Sequence, residues 1–319
     1  MGDIQQLWTE KYRPQTFEDI SGQENIVRRI KAFVQQKNIP HLLFAGRAGT
    51  GKTTLAMVIA KQLFGEHWKE NFLDLNASDD RGIDTIRIKV KDFARTKSLA
   101  SDVQKIIHLD ECDSLTKEAQ QALRRTMENY SGSARFILSC NFQSKIIDPI
   151  KSRCALFRFK PLEKKDLLKV IERISKEEKL NIDEEAIEAL YAASEGDMRR
   201  MVTMLQACSA ISRKIGKETI HELTGTTKPK EVVDILSVAA SGDYLKARQR
   251  LLDLMLTQGL SGLDVIKAIQ QEVWNLNVSD HDKMKMIERC GEIEFRMVEG
   301  SDEWVQLESL LSSFALLKK

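Results

Sequence analysis

The chain has 319 residues, 42% of them hydrophobic and 30% charged, with 49 Lys+Arg against 47 Asp+Glu. That length accommodates two or three domains, each with its own core, and five prolines leave little room for long disordered linkers. A formal net charge of +2 excludes a polybasic nucleic-acid wrapper, so any basic surface is local.

The first half alternates short apolar runs with amphipathic stretches. HLLFA (41–45), NFLDLN (71–76), KIIHLD (105–110), RFILSC (135–140) and ALFRF (155–159) read as strands. Between them, 52–64, 83–97 and 114–129 carry apolar residues at helical spacing. Strands alternating with helices predict an α/β domain, a parallel five-stranded sheet covered on both faces. Ligands of such sheets sit at the carboxyl ends of the strands. After Pro161 the strand signals stop. Residues 163–179, 183–193, 197–213 and 217–223 predict a small helical domain. TGTTKPK (224–230) is the best linker candidate. Beyond it 231–240, 243–257, 261–276, 280–298 and 302–318 predict a second all-helical domain. The expected division is 1–161, 162–226 and 227–319.

GRAGTGKTT (46–54) follows the first strand and opens the first long helix. Gly46, Gly51, Lys52 and Thr53 fit G-x-x-x-x-G-K-[ST] in the context that gives it meaning. Such a loop turns backbone N–H groups of Arg47, Ala48, Gly49, Thr50, Gly51 and Thr54 toward phosphate oxygens, and the helix adds the positive end of its dipole. Lys52 neutralises terminal phosphates, and the Thr53 hydroxyl is suited to Mg2+. IIHLDECD then ends a strand in Asp110, a second magnesium-site acid, and Glu111, placed to polarise an attacking water. RFILSCN ends the next strand in Asn141, a candidate for orienting that water or touching the γ-phosphate. KSRC carries Arg153 just before the last strand. EGDMRR opens a helix at the N-cap Asp197 and brings Arg199 and Arg200.

WTEKYRP, NASDDRGID, AQQALRRTME, FILSCN, SRC and GDMRR, taken in order, resemble the replication factor C small subunits, the clamp-loader branch of the AAA+ ATPases, over the whole chain. The resemblance implies an AAA+ sheet domain, a helical lid and a helical collar, with ATP and Mg2+ as ligands. It implies roles for Lys52 and Thr53 as Walker A, Asp110 and Glu111 as Walker B, Asn141 as sensor 1 and Arg199 as sensor 2. Arg153 becomes an arginine finger acting on a neighbour's ATP. Tyr12, Arg13, Pro14 and Ile20 would line an adenine pocket. The implied activity is ATP hydrolysis that loads the sliding clamp, PCNA, onto primed DNA within a heteropentamer completed by a large subunit. The implied location is the cytoplasm of an archaeon, or the nucleus of a eukaryote. Arg47 and Ala48 replace two prolines usual in the family, Cys112 a usual alanine, and Asp80 a usual glutamate.

For DNA the helix at 83–97 is the candidate. Ile83, Ile86, Val90 and Phe93 share its apolar side, and Arg87, Lys91 and Arg95 follow at four-residue spacing. Arg81 stands just before it. Such a stripe suits phosphates rather than bases. Arg124 and Arg125 lie on the helix after Walker B, with DNA, the clamp and a neighbouring subunit all open as partners. No apolar run approaches the roughly 20 residues of a membrane span. The cysteines, Cys112, Cys140, Cys154, Cys208 and Cys290, form no C-x-x-C pair, so we expect reduced thiols and no zinc. Three other readings compete: a nucleotide-binding structural subunit, a small-molecule P-loop kinase, and another AAA+ DNA motor. Glu111 and Arg153 speak against the first. The long helical tail speaks against the second, and the lack of a winged-helix pattern against the third.

Overall fold

The computed structural model describes residues 7–78, 83–95, 103–224 and 229–316. The chain divides into two compact units, Met1–Ile215 and Gly216–Lys319.

The first unit is built on five parallel strands: β1 (His41–Ala45), β2 (Phe72–Asn76), β3 (Lys105–Asp110), β4 (Ala134–Cys140) and β5 (Cys154–Arg158). Their order across the sheet is β2-β3-β4-β1-β5, so the glycine-rich loop leaves β1 with β4 on one side and β5 on the other. Side chains alternate between the two faces, as strand geometry requires. Leu42, Phe44, Ile106, Ile137 and Phe157 pack on one face with the helix Lys52–Phe64. Leu43, Ile107, Leu109, Phe136 and Leu138 pack on the other with the helix Lys117–Asn129. Both faces are apolar, which is why these strands read as continuous hydrophobic runs.

Each strand lies within a residue of its predicted bounds. The helix expected from 114 begins at Lys117, where the Thr116 hydroxyl caps the Ala119 N–H, and a single 3-10 turn covers Cys112–Ser114. Helices at Trp8–Lys11, Glu24–Gln35, Trp68–Asn71 and Asp148–Lys151 were not read from the sequence. One expectation is corrected. Strands do not stop at Pro161: β6 (Asn181–Ile182) and β7 (Lys214–Ile215) form a two-stranded parallel sheet among the helices that follow. Two residues are too few to display an alternation.

The helices Lys164–Glu178, Glu184–Ser194 and Met198–Ile211 complete the first unit. The N-terminal segment is strapped to them. The Trp8 N–H donates to Gln206 Oε1 at 3.0 Å, and Lys11 and the Tyr12 hydroxyl both meet Glu178 Oε1 at 2.6 Å.

The second unit is helical throughout its described residues: Lys217–Thr224, Pro229–Ala240, Tyr244–Gln258, Gly262–Glu272, Asp280–Val298 and Glu303–Leu316. The helix expected at 261–276 ends at Glu272 and continues as one 3-10 turn. Its core runs from Val232 through Leu251, Ile266 and Ile293 to Phe314.

Candidate nucleotide site

The carboxyl ends of β1, β3 and β4 meet at one cleft. The loop after β1 passes through left-handed backbone at Gly49 (φ 67°) and Gly51 (φ 97°) before the helix starts at Lys52. Side chains are strained at such φ values. At Gly49 the demand is also steric, because a Cβ there would lie 1.7 Å from the Asp197 carboxylate. Asp197 caps the Met198–Ile211 helix by accepting from the Arg200 N–H, and the Met198 N–H donates to the Gly49 carbonyl at 3.1 Å. The first N–H groups of the helix at Lys52 have no carbonyl of their own helix to meet, so they face the cleft as anion donors.

Lys52 is 7% exposed, and its ammonium donates to the carbonyls of Gly46 (2.7 Å) and Arg47 (2.9 Å) and to Asn141 Oδ1 (3.1 Å). Burial pulls its pKa below the usual lysine value, and the Asp110 charge opposes that pull. The Thr53 hydroxyl donates to Asp110 Oδ2 at 2.5 Å. A hydroxyl and a carboxylate converging in this way are hard oxygen donors of the kind magnesium takes. An ammonium beside them suits polyphosphate. The donor set therefore fits Mg2+ and a nucleotide.

Glu111 stands just past β3 with left-handed backbone (φ 53°) and an exposed side chain. Its N–H donates to Asp110 Oδ1 at 2.9 Å.

Tyr12, Arg13, Pro14 and Ile20 line the same cleft, and so do Ala48, Thr50, Thr54 and Arg199. Burial, then the Glu178 carboxylate, push the Tyr12 phenol up to about 12, so it stays a donor. Arg13 contacts Met57 Sδ at 3.3 Å and pairs with Glu10. Gly46 and Arg47 contribute carbonyls. The Arg47 side chain is exposed and is not among the residues that line the cleft.

Arg153 is also absent from the cleft. It sits between the helix Asp148–Lys151 and β5, with Nη2 2.6 Å from Glu128 Oε1 and Nη1 donating to the Pro149 carbonyl at 2.8 Å. On the helix Ile83–Arg95, Val90 and Ala94 are buried, while Lys91 and Arg95 are exposed. Arg81 and the Arg87 side chain lie outside the described residues. Sequence reasoning missed Asp113, whose carboxylate accepts the N–H groups of Asn141 (3.2 Å) and Phe142 (3.1 Å) and so fixes the end of β4. It also missed Trp8, Asp19, Arg173, Met198 and Val202 in the cleft wall.

Residues 42–162 match the family model described as ATPase family associated with various cellular activities (AAA). Residues 227–313 match the replication factor C C-terminal domain. A replication factor C small subunit of Methanococcus vannielii is 47% identical over 315 residues, covering 99% of this chain and 100% of that protein. Those of Staphylothermus marinus (49%, covering 98% and 95%) and Archaeoglobus fulgidus (45%, covering 98% and 98%) are similar over the same span. Among solved structures, the Thermotoga maritima RuvB Holliday junction branch migration motor superposes with a TM-score of 0.56 at 18% identity, covering 71% of this chain and 78% of that one. That likeness speaks for the AAA+ fold alone. Full-length identity near one half, a P-loop opened by β1 and a matching C-terminal domain lead to one conclusion: the chain belongs to the replication factor C small subunit family.

Proposed function

We propose that this chain is an ATP-hydrolysing subunit of a clamp loader, which opens PCNA and places it on primed DNA. The observation that carries the reading is the convergence of Lys52, Thr53, Asp110 and Asn141 at the ends of three adjacent strands. Thr53 and Asp110 would hold Mg2+, which supplies charge neutralisation at the phosphates when bound. Lys52 and the loop N–H groups bind the phosphates. Asn141, tied to Lys52 and fixed through Asp113, positions the water, and Glu111 takes its proton. Tyr12, Arg13 and Ile20 hold the base. Arg199 reaches the same cleft from the Met198–Ile211 helix, so closure of residues 162–226 as a lid would add its charge to the phosphates. Arg153, turned away from its own cleft, serves the nucleotide of the next subunit, and residues 227–319 hold the ring together as its collar. Lys91 and Arg95, with Arg81 and Arg87, face DNA phosphates.

The partners are a large subunit and further small subunits in a heteropentamer. The archaeal relatives support action in the cytoplasm. Among the described residues no helix is long and apolar enough to cross a membrane.

The test is ATP turnover by the reconstituted complex with primed DNA, with PCNA, and with both. Synergy between the two supports the reading. Equal turnover in all conditions would sink clamp loading, and binding without turnover would leave a structural subunit.

A further inference from the structure

We infer that Glu128 is a positioning residue for the arginine finger: its carboxylate fixes the Arg153 guanidinium in the place from which a neighbouring subunit's nucleotide receives it. The inference rests on the trans role proposed above for Arg153.

Glu128 lies in the last turn of the helix Lys117–Asn129, and Arg153 lies 25 residues on, past β4 and the Asp148–Lys151 helix. Their side chains meet at 2.6 Å. The same oxygen, Glu128 Oε1, also accepts from Arg124 Nη1 at 2.8 Å, one helical turn earlier. Arg124 therefore holds the carboxylate in one rotamer, and the carboxylate holds Arg153. The Pro149 carbonyl supplies a second anchor at Arg153 Nη1. A guanidinium has five N–H donors in a planar fork. The two anchors engage its two terminal nitrogens, one each, and so restrict the orientation of the fork.

The energetics separate this role from a structural one. The Arg153 and Glu128 side chains are 38% and 39% exposed. Exposed ion pairs contribute little to stability, so losing this one leaves the fold intact. Rate is far more sensitive to placement, since a displacement of about 1 Å can cost roughly 10²-fold. A free arginine must also surrender side-chain entropy when it is finally ordered. Glu128 removes much of that cost before the subunits meet.

The experiment uses the complete clamp loader assembled from wild-type subunits and an excess of Lys52→Ala subunits. Most intact P-loops then face a finger donated by a subunit that cannot turn over its own nucleotide. The donor carries either no further change, Glu128→Ala, Glu128→Asp or Arg153→Ala. We expect Glu128→Ala to lower kcat about 10- to 100-fold with KM and the donor's thermal midpoint unchanged, and Glu128→Asp to recover part of the loss. If Arg153→Ala lowers kcat and Glu128→Ala does not, the positioning role is wrong and the trans finger stands. If Arg153→Ala has no effect either, the trans reading falls and takes this inference with it. A kcat loss in Glu128→Ala accompanied by a lower thermal midpoint would return Glu128 to a structural role.

Discussion

In the first unit the interior holds Lys52, His108, Gln120, Ser139 and Asp166; in the second, the described core from Val232 to Phe314 is aliphatic, aromatic and sulfur-containing. Every buried polar or charged side chain among the described residues belongs to the first unit. Buried polar groups need partners, and here those partners define geometry. Gln120 donates to the Leu115 and Lys145 carbonyls and accepts from the Ile147 N–H, tying together the segments that follow β3 and β4. His108 joins Asp74 (2.7 Å) and Ser139 (2.9 Å) across β2, β3 and β4. Each of the three stands two residues before a strand-end polar group, Asn76, Asp110 or Asn141. The second unit has no comparable network in its described core. Its described core is held by apolar packing.

The sharpest break between the units should come from Glu111→Gln. We expect turnover to fall by about 10²–10⁴-fold while nucleotide binding and thermal stability persist, because a general base is lost and the phosphate cradle is not. Single-turnover hydrolysis beside equilibrium nucleotide binding reads this out, and near-normal hydrolysis would remove Glu111 from its role. The complementary change is Leu311→Ala, in the fully buried core of the second unit. It should cost about 2–5 kcal/mol in urea unfolding and leave nucleotide affinity untouched. A matching fall in affinity would show that the units are not energetically separate.

The sequence made much of this legible, for physical reasons that can be named. Both faces of the sheet are covered, so β1, β3 and β4 are predominantly apolar and stand out at once. The P-loop demands glycine at fixed offsets, and Asp110 and Asn141 follow strands with recognisable ends. What escaped is long-range. Asp113 meets Asn141 across 28 residues, and only the adjacency of β3 and β4 brings them together. Glu178 meets Tyr12 across 166 residues. Glu24–Gln35 had a readable apolar spacing at Ile26, Val27 and Ile30, but it starts from a left-handed Gln23 with no side-chain cap to announce it. The contact of the Arg47 carbonyl with the Lys52 ammonium is likewise a matter of loop conformation that residue types alone do not display.

A third prediction sharpens the contrast through pH. His41, beside β4, accepts the Phe136 N–H at 3.0 Å. Burial, with the Arg135 charge behind it, lowers its pKa from 6.5 to about 4. The unfolded chain binds this proton first as pH falls. The stabilisation is therefore whole above about pH 6.5 and is lost progressively down to about pH 4, with a ceiling of about 3 kcal/mol. Urea midpoints should drop more steeply over that window in the wild type than in His41→Asn. Parallel slopes would show that His41 does not govern the acid sensitivity.

The smallest expected effect concerns DNA. Replacing Lys91 and Arg95 with alanine should flatten the log–log salt dependence of primed-DNA binding by about 0.9 per lost phosphate contact, with DNA-independent hydrolysis preserved. An unchanged slope would make them ordinary solvated residues.

The strap between the N-terminal segment and the helices of the first unit also bears on synthesis. Trp8 finds its acceptor 198 residues later, at Gln206. At about 5–20 residues per second, a nascent chain carries that segment unpaired for roughly 10–40 s. Trp8 and Tyr12, both buried in the finished protein, are therefore exposed on the ribosome throughout that interval. Residues made early are thus among the last to settle, and the wall of the nucleotide cleft closes only when the Met198–Ile211 helix has emerged.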